Sequence, residues 1–211
     1  MTKDEKLAAL HDRWATNNTC ELKATATRHV PGAGPASARI VFIGEAPGKR
    51  EDEQGIPFVG AAGKFLGEML ESIKLRREDV YITNIVKYRP PDNRDPEPEE
   101  KEACAAWLYE ELNLIRPKLI VFLGRHAMHD FFPNLKISDV HGTLVHQRFD
   151  KIHTEYFLPL YHPASALYNG ALRGTLQADF ARIPLILDKI TKNGTVDAYG
   201  NEKLAAEDQE N

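Results

Sequence analysis

Cysteine is scarce in this sequence, since only Cys20 and Cys104 carry a thiol among 211 residues. Two cysteines cannot build the disulfide network on which small secreted domains depend, so the fold must rest on a hydrophobic core. A chain of 23.7 kDa with 42% hydrophobic residues is long enough to bury such a core. We therefore expect one domain over residues 1–190, with both cysteines as free thiols.

Long apolar runs are missing as well. The longest hydrophobic stretches have the length of a strand, and the first residues, MTKDEKLAALHDRW, form a charged amphipathic segment. We therefore expect a monomeric cytoplasmic protein with no membrane partner. Near the end, residues 198–211 hold four acids and one lysine without apolar periodicity, which predicts a flexible acidic tail over 191–211.

Phosphate-binding and metal-binding motifs are also absent. The stretch GEAPGKR, beginning at Gly44, is one residue too short for a P-loop and has Arg50 where Ser or Thr would bind magnesium. The stretch GAGPAS at 32–37 precedes a predicted strand and lacks the GxGxxG spacing. Neither HExxH nor a CxxC pair occurs. Nucleotide-binding and metal-dependent enzyme classes are therefore disfavoured, and we expect no metal.

Four short β-rich runs do alternate with helical patterns. They are ARIVFIGEA, DVYITNIV, PKLIVFLG and EYFLPLYHPA, and one predicted helix between them runs from Glu99 to Ile115. Strands that are apolar on both faces and separated by helices predict an α/β fold with a parallel sheet covered on both sides. Functional residues then lie at the carboxyl ends of the strands.

The loops at these predicted strand ends carry side chains that suit a neutral planar ring. Phe58 offers a stacking surface, Asn84 offers a donor and an acceptor, and His162 offers a donor for a leaving oxygen. Each also has a structural interpretation: Phe58 as a core anchor, Asn84 as a turn residue, and His162 as a loop cap. The acids at 51–53 would then be a solvated run.

Four motifs resemble the uracil-DNA glycosylase superfamily, and within it the family-4 enzymes. They are GEAPGKREDEQGIPFVGAAGKFL, VYITNIVKYRPPDNRDPEPEE, IRPKLIVFLGRHA and LPLYHPASAL, and the similarity runs from about Cys20 to Ile190. The resemblance implies a three-layer α/β/α sandwich with a central four-stranded parallel sheet. It also implies a DNA repair enzyme that flips deoxyuridine out of DNA, hydrolyses its N-glycosidic bond, releases uracil and leaves an abasic site.

The resemblance further implies roles for individual residues. Phe58 would stack on the flipped uracil, Asn84 would pair with its O4 and N3 edge, and His162 would bind O2 as negative charge develops there. Glu45 and Ala46 would line the pocket beside the base.

A catalytic acid is implied at Glu51, which would stabilise the cationic sugar or orient water, with the adjacent Asp52 as a second candidate. A carboxylate near the sugar and a donor near uracil O2 fit the chemistry, because cleavage of the N1–C1′ bond produces an oxocarbenium-like sugar and a uracil anion.

The expected partner is uracil-containing DNA, single- or double-stranded. The residues predicted to contact it are Lys49, Arg50, Arg125, His126, Ser165, Leu167, Leu172 and Arg173. The basic groups would bind phosphates, and one of the two leucines would fill the gap left by the flipped base, unless both are ordinary loop packing.

The sequence departs from the resembled family in its cysteines. Family-4 enzymes usually hold a [4Fe-4S] cluster with four of them, whereas here Cys20 and Cys104 match two positions while Asn17 and Tyr88 stand at the others. A neutral amide and a phenol are poor ligands for iron in a sulfide cluster, so we predict that no cofactor is bound.

Two alternatives to a uracil-DNA glycosylase stay open. One is a catalytically weak relative that binds nucleic acid or a nucleobase, and the other is a glycosylase for other deaminated bases. A hydrolase of free nucleosides is disfavoured by the wedge-like loop after His162.

Overall fold

A sheet of five strands organises residues 1–193, the part of the chain that the computed structural model describes. The strands are β1 (Ile40–Gly44), β2 (Tyr81–Asn84), β3 (Leu119–Leu123), β4 (Val145–His146) and β5 (Tyr156–Leu160). Their spatial order is β2-β1-β3-β5-β4, with β4 antiparallel to β5 and the other four strands parallel. The four predicted parallel strands are confirmed, and the short strand β4 adds an antiparallel edge that was not predicted.

The strands are buried on both faces, as their apolar composition predicts. In β1, Val41 and Ile43 belong to one hydrophobic cluster, while Ile40 and Phe42 belong to a second cluster across the sheet. Successive side chains of a strand point to opposite faces, so each face needs its own helical cover. Strand β4 has two half-buried residues, which is too short a segment for any hydrophobic pattern to reveal.

Nine α-helices of the described region flank the sheet. They are α1 (Lys3–Asn17), α2 (Lys49–Gln54), α3 (Ala61–Ser72), α4 (Pro98–Ile115), α5 (Arg125–His129), α6 (Ile137–Val140), α7 (Pro163–Tyr168), α8 (Gly170–Ala181) and α9 (Ile183–Asn193). Buried side chains of α1 and α4 cover one face, and those of α3, α8 and α9 cover the other. The predicted three-layer sandwich is therefore confirmed.

The C-terminal helix passes the predicted domain boundary at residue 190. Helix α9 continues to Asn193, and within it the Thr191 hydroxyl accepts a hydrogen bond from Arg39. Residues 191–193 are thus helical, and the rest of the predicted tail, 194–211, lies outside the described residues. No helix within residues 1–193 is long and apolar enough to cross a membrane.

The carboxyl ends of the parallel strands meet at one edge of the sheet. Gly44 at the end of β1 is in register with Asn84 at the end of β2, and β5 ends two residues before His162. The three loops that follow these strands therefore converge, as expected for a parallel α/β sheet.

Candidate active site

A cavity of about 340 Å³ opens between these three loops. Six residues predicted from the sequence line it: Glu45, Ala46, Glu51, Phe58, Asn84 and His162. They come from positions far apart in the chain, and the parallel sheet brings them together because its strand ends share one edge.

Asn84 presents an amide that lacks hydrogen-bond partners. Its side chain is only 1% exposed, and neither Oδ1 nor Nδ2 has a partner among the described residues. A buried polar group without a partner is costly, so such an amide indicates a group kept free for a ligand.

Gly44 allows this amide to approach the aromatic ring beside it. A Cβ atom at Gly44 would lie 2.4 Å from Asn84 Oδ1 and 2.6 Å from Phe58 Cζ, closer than van der Waals contact permits. Any larger residue at the end of β1 would displace the amide or the ring. The glycine of the GEAPG motif is therefore required by packing.

Phe58 forms an aromatic wall of the cavity in an unusual backbone conformation. Its φ is +55°, in the left-handed region that non-glycine residues rarely adopt. The ring is 6% exposed, and its centroid lies 5.7 Å from that of the His162 ring. The aromatic face and the imidazole thus line the same cavity.

Glu51 lies in the first turn of α2 and turns its carboxylate toward the cavity. Its Oε1 accepts hydrogen bonds from the backbone N–H groups of Val59, at 2.9 Å, and Gly60, at 2.8 Å. These two donors fix the carboxylate in a single orientation at the cavity wall.

Asp52, the second candidate for the catalytic acid, points elsewhere. Its side chain is 4% exposed, and Oδ1 accepts the backbone N–H of Thr27 at 2.9 Å and of Arg28 at 3.3 Å. Successive residues on a helix project about 100° apart, and among the described residues Glu51 lines the cavity whereas Asp52 does not. Asp52 therefore anchors the segment before β1, and Glu51 is the acid of this pair that lies at the cavity.

His162 is held as a neutral imidazole with one defined tautomer. Its Nδ1 accepts the backbone N–H of Ala164 at 3.1 Å, so the ring proton is on Nε2. Burial, and then the charge of His126, lower the pKa of His162 to about 4. At neutral pH the ring is therefore an uncharged donor.

Glu45 at the wall of the cavity lies in a second polar group with His126 and Asp95. Burial, and then the nearby Asp95, raise the pKa of Glu45 to about 7. His126 Nδ1 lies 3.4 Å from Glu45 Oε1, and its Nε2 lies 3.4 Å from Asp95 Oδ2. The ring thus turns one nitrogen toward each carboxylate instead of presenting a free donor to a phosphate.

Glu45, Asp95 and His126 each have a possible metal-ligand atom within 4.8 Å of the other two, which is close enough for the three to share a cation. His126 contacts the two carboxylates through opposite ring nitrogens, whereas a metal needs its ligands directed at one point.

The cations predicted to contact DNA differ in exposure and in whether another side chain already binds them. Lys49 and Arg50 are exposed at the start of α2. Arg173 is bound to Glu68 at 2.7 Å and lies over the ring of Phe65 at 4.7 Å. Arg125 donates to its neighbour His126 at 3.1 Å. Lys49 and Arg50 are thus the better placed of these cations for a new ligand.

The two candidate wedge residues also differ. Leu167 is 45% exposed at the end of α7, whereas Leu172 packs against the hydrophobic cluster and lines a neighbouring cavity of about 410 Å³ with Ser165. Tyr168, which the sequence did not single out, is 92% exposed beside Leu167. Exposure therefore favours Leu167 over Leu172 for contact with DNA.

The two thiols lie together in the core. The interaction between the two thiols lowers the pKa of Cys20 and raises that of Cys104, and Cys20 Sγ donates to the Glu100 carbonyl at 3.6 Å. Burial, with both thiols nearby, raises the pKa of Tyr88 to about 12, and its ring stacks on Trp14 at 5.2 Å. Tyr88 thus lies against the cysteines as a neutral phenol.

Asn17 does not join this group. It is exposed at the end of α1, whereas the next residue, Asn18, is buried and accepts the backbone N–H of Cys20 at 2.6 Å. If the chain kept the geometry of the family, the Asn17 amide would pack beside the thiols, but here the side chain is exposed. Two thiols, a neutral phenol and an exposed neutral amide do not fit a [4Fe-4S] cluster, which thiolates normally hold.

Part of the cavity wall was not predicted from the sequence. Pro90, Asn93 and Arg94 line it from the loop that follows β2. Arg94 is bound through both terminal nitrogens to the Glu100 carboxylate, at 2.6 and 2.9 Å, which holds the loop against α4. The composition of PPDNR is typical of a loop, but no local pattern shows that a loop folds over a distant site.

The α/β/α sandwich places an aromatic ring, an unpaired amide, a neutral imidazole and a carboxylate around one cavity. This arrangement suits an enzyme that binds a planar base and stabilises charge on either side of a breaking bond. The sequence agrees with this class. Residues 31–183 match the family described as the uracil DNA glycosylase superfamily.

Relatives narrow the family further. A type-4 uracil-DNA glycosylase of Archaeoglobus fulgidus is 48% identical over 171 residues, which cover 78% of this chain and 84% of the relative. A type-4 enzyme of Thermotoga maritima is 41% identical over 80% of this chain and 86% of its own. A type-5 enzyme of Thermus thermophilus matches only 48% of the chain, at 41% identity. The chain belongs to the uracil-DNA glycosylase superfamily and to its type-4 family, as the motifs predict.

Proposed function

We propose that this protein is a DNA repair hydrolase that removes uracil from DNA. It cleaves the N-glycosidic bond of deoxyuridine, releases free uracil and leaves an abasic site. Family membership supports the reaction, and one observation carries the substrate: Asn84 keeps both amide atoms unpaired in a cavity that it shares with Phe58 and His162.

Base recognition rests on this amide. Uracil offers an acceptor at O4 and a donor at N3, which match Asn84 Nδ2 and Oδ1. Cytosine offers a donor and an acceptor at the same places, so both contacts would be mismatched. Burying mismatched polar groups costs far more free energy than losing a methyl contact. The site therefore discriminates against cytosine. Phe58 provides the stacking face, and Glu45 and Ala46 complete the wall.

The chemical step needs stabilisation on both sides of the breaking bond. The electrons of the N1–C1′ bond leave with uracil, and His162 Nε2–H donates to O2 as negative charge grows there. The Glu51 carboxylate lies beside the positively charged sugar and orients a water. That water gives its hydroxyl to C1′ and loses a proton, and the uracil anion takes a proton from solvent.

DNA contact involves residues around the cavity. Lys49 and Arg50 bind phosphates from the start of α2, with smaller contributions from Arg125, Ser165 and Arg173. Leu167 enters the gap that the flipped nucleotide leaves. A few phosphate contacts give moderate, salt-dependent affinity for single- or double-stranded DNA. The protein acts as a monomer.

The protein works without an iron–sulfur cluster. Two features support this proposal: Asn17 is exposed away from the thiols, and Tyr88 has a raised pKa that keeps its phenol protonated. The stacked pair of Trp14 and Tyr88 packs beside the two cysteines.

The test uses a labelled oligonucleotide with one deoxyuridine, incubated with the protein and then treated with alkali. Strand scission at the uracil supports the proposal. Binding of the oligonucleotide without scission would favour a non-catalytic relative. Scission of oligonucleotides with hypoxanthine or xanthine, but not uracil, would favour a glycosylase for other deaminated bases.

A further inference from the structure

We propose that Arg77 is a positioning residue that holds Phe58 in the conformation needed to stack on the flipped base. This inference rests on the proposed function. Arg77 lies in a short 3-10 helix, Arg77–Asp79, that precedes β2, and sequence analysis gave it no role. Its Nη1 donates to the carbonyl of Phe58 at 2.8 Å, and its Nη2 donates to the carbonyl of Pro57.

The need for such a residue comes from the backbone of Phe58. A φ of +55° brings the Cβ of an L-residue too close to its own backbone, and such conformations persist only where the surroundings impose them. A guanidinium fork that binds two successive carbonyls suits this task, because its donors are rigid and coplanar.

The segment after Pro57 is also held from its other side. Glu51 accepts the N–H groups of Val59 and Gly60, so the carbonyls of 57 and 58 and the amides of 59 and 60 all have charged partners. Gly63 completes the arrangement, since a Cβ there would lie 1.8 Å from the Phe58 carbonyl oxygen. Arg77 and Glu51 thus act on the same four-residue segment.

Arg77 acts through Phe58. Phe58 and Glu51 line the cavity, whereas Arg77 is not among the described residues that do so. Its half-buried guanidinium lies behind the aromatic wall, bound to main-chain oxygens. Removing it leaves the base-binding surface chemically intact but releases the backbone that orients one side of it.

The test compares Arg77→Met with Arg76→Met. Arg76 is the adjacent residue, is exposed, and binds Glu78 and Asp79, so it controls for loss of a cation. Arg77→Met should lower the single-turnover excision rate by on the order of tenfold, within the range expected for losing a base-stacking contact. Arg76→Met should leave the rate unchanged within about twofold. Arg77→Lys, which can bind one carbonyl but not both, should fall between.

A double-mutant cycle separates positioning from general folding. In a Phe58→Ala background, Arg77→Met should cost less than about twofold, since its effect passes through the missing ring. An equal loss in both backgrounds would overturn the proposal, as would a wild-type rate in folded Arg77→Met. If Arg77→Met does not fold, as judged by circular dichroism, Arg77→Lys takes its place in the cycle, with the same outcomes.

Measuring affinity for an oligonucleotide that cannot be cleaved tests the role of Arg77 independently of hydrolysis. An oligonucleotide with 2′-fluoro-2′-deoxyuridine resists hydrolysis, and the wild-type protein should prefer it to the matched thymidine oligonucleotide. Arg77→Met should reduce this preference severalfold, and Arg76→Met should not. If the wild-type protein shows the preference but cleaves no deoxyuridine, the proposed hydrolysis fails while the role of Arg77 stands. An unchanged preference in Arg77→Met contradicts the positioning role.

Discussion

At the scale of the single residue, the two unpaired amide atoms of Asn84 define what the cavity can bind. Asn84→Asp replaces the donor Nδ2 by a second carboxylate oxygen and adds a charge in a buried place. We expect uracil excision to fall by on the order of 10²-fold or more, because an unsatisfied buried contact costs a few kcal/mol. Single-turnover kinetics on a deoxyuridine oligonucleotide measure this. A wild-type rate would show that Asn84 does not read the base.

His162 lies in the same cavity but serves the chemical step. Its donor matters most when charge develops on uracil O2, so His162→Ala should lower the single-turnover rate by about 10²-fold. Affinity for uracil-containing DNA should change little, since the ground state carries no such charge. Binding and rate are measured on the same oligonucleotide. A loss of affinity as large as the loss of rate would assign His162 to binding instead.

The protonation state of His162 gives a separate prediction. Because its pKa is lowered to about 4, the ring is neutral from pH 8 down to pH 5. The ratio of the wild-type rate to the His162→Ala rate should therefore stay constant over that range and change only as the ring takes up a proton near pH 4. Taking the ratio removes titration of other groups such as Glu45. A ratio that rises as pH falls through about 6.5 would indicate a cationic histidine.

At the scale of secondary-structure elements, a buried ion pair ties the end of β2 to helix α4. Lys87 Nζ lies 2.9 Å from Glu111 Oε2 and donates to the carbonyl of Asn84 at 2.9 Å. Glu111 also accepts the Thr83 hydroxyl at 3.1 Å. Both charges are nearly inaccessible, at 3% and 2% exposure, and Lys87 is the cation bound to Glu111 Oε2, while Oε1 contacts His11 and accepts the Tyr81 hydroxyl.

Breaking this pair should be costly. Lys87→Met leaves the Glu111 carboxylate buried without its cation, and we expect the free energy of unfolding to fall by about 3–5 kcal/mol. The matched control is Arg13→Met, which breaks the exposed pair with Glu110 on the same helix and should cost less than about 1 kcal/mol. Urea unfolding measures both. Equal costs would mean that burial of the pair contributes nothing.

At the scale of the whole molecule, helix α1 is attached to the domain by apolar packing. Leu7, Leu10 and Trp14 bury against the cluster that contains α4, and Trp14 stacks on Tyr88 beside the thiols. A metal cluster is not needed to explain this attachment, because the hydrophobic contacts supply it.

We therefore expect protein purified without oxygen to be colourless and to contain no stoichiometric iron or acid-labile sulfide. Uracil excision should survive treatment with a chelator, and the matched control is a type-4 relative carried through the same assays. A brown sample with about four irons per chain, and activity lost on chelation, would contradict the proposal.

The sequence by itself determined the layers and the loops that carry the site. Runs such as IVFIG are apolar on both faces, so they require helices on both sides of the sheet, and parallel strands require their carboxyl ends to share an edge. Phe58, Asn84 and His162 could thus be assigned to one edge before any coordinates, and the motifs placed the chain in its family.

Only the tertiary structure decided between neighbours in sequence. Whether Glu51 or Asp52 faces the cavity depends on which side of α2 packs inward, and whether Asn17 or Asn18 is buried depends on where α1 ends. The support of Phe58 by Arg77 joins residues 19 positions apart. Such contacts depend on side-chain direction and on chain segments brought together by folding, and no local pattern of residues encodes either.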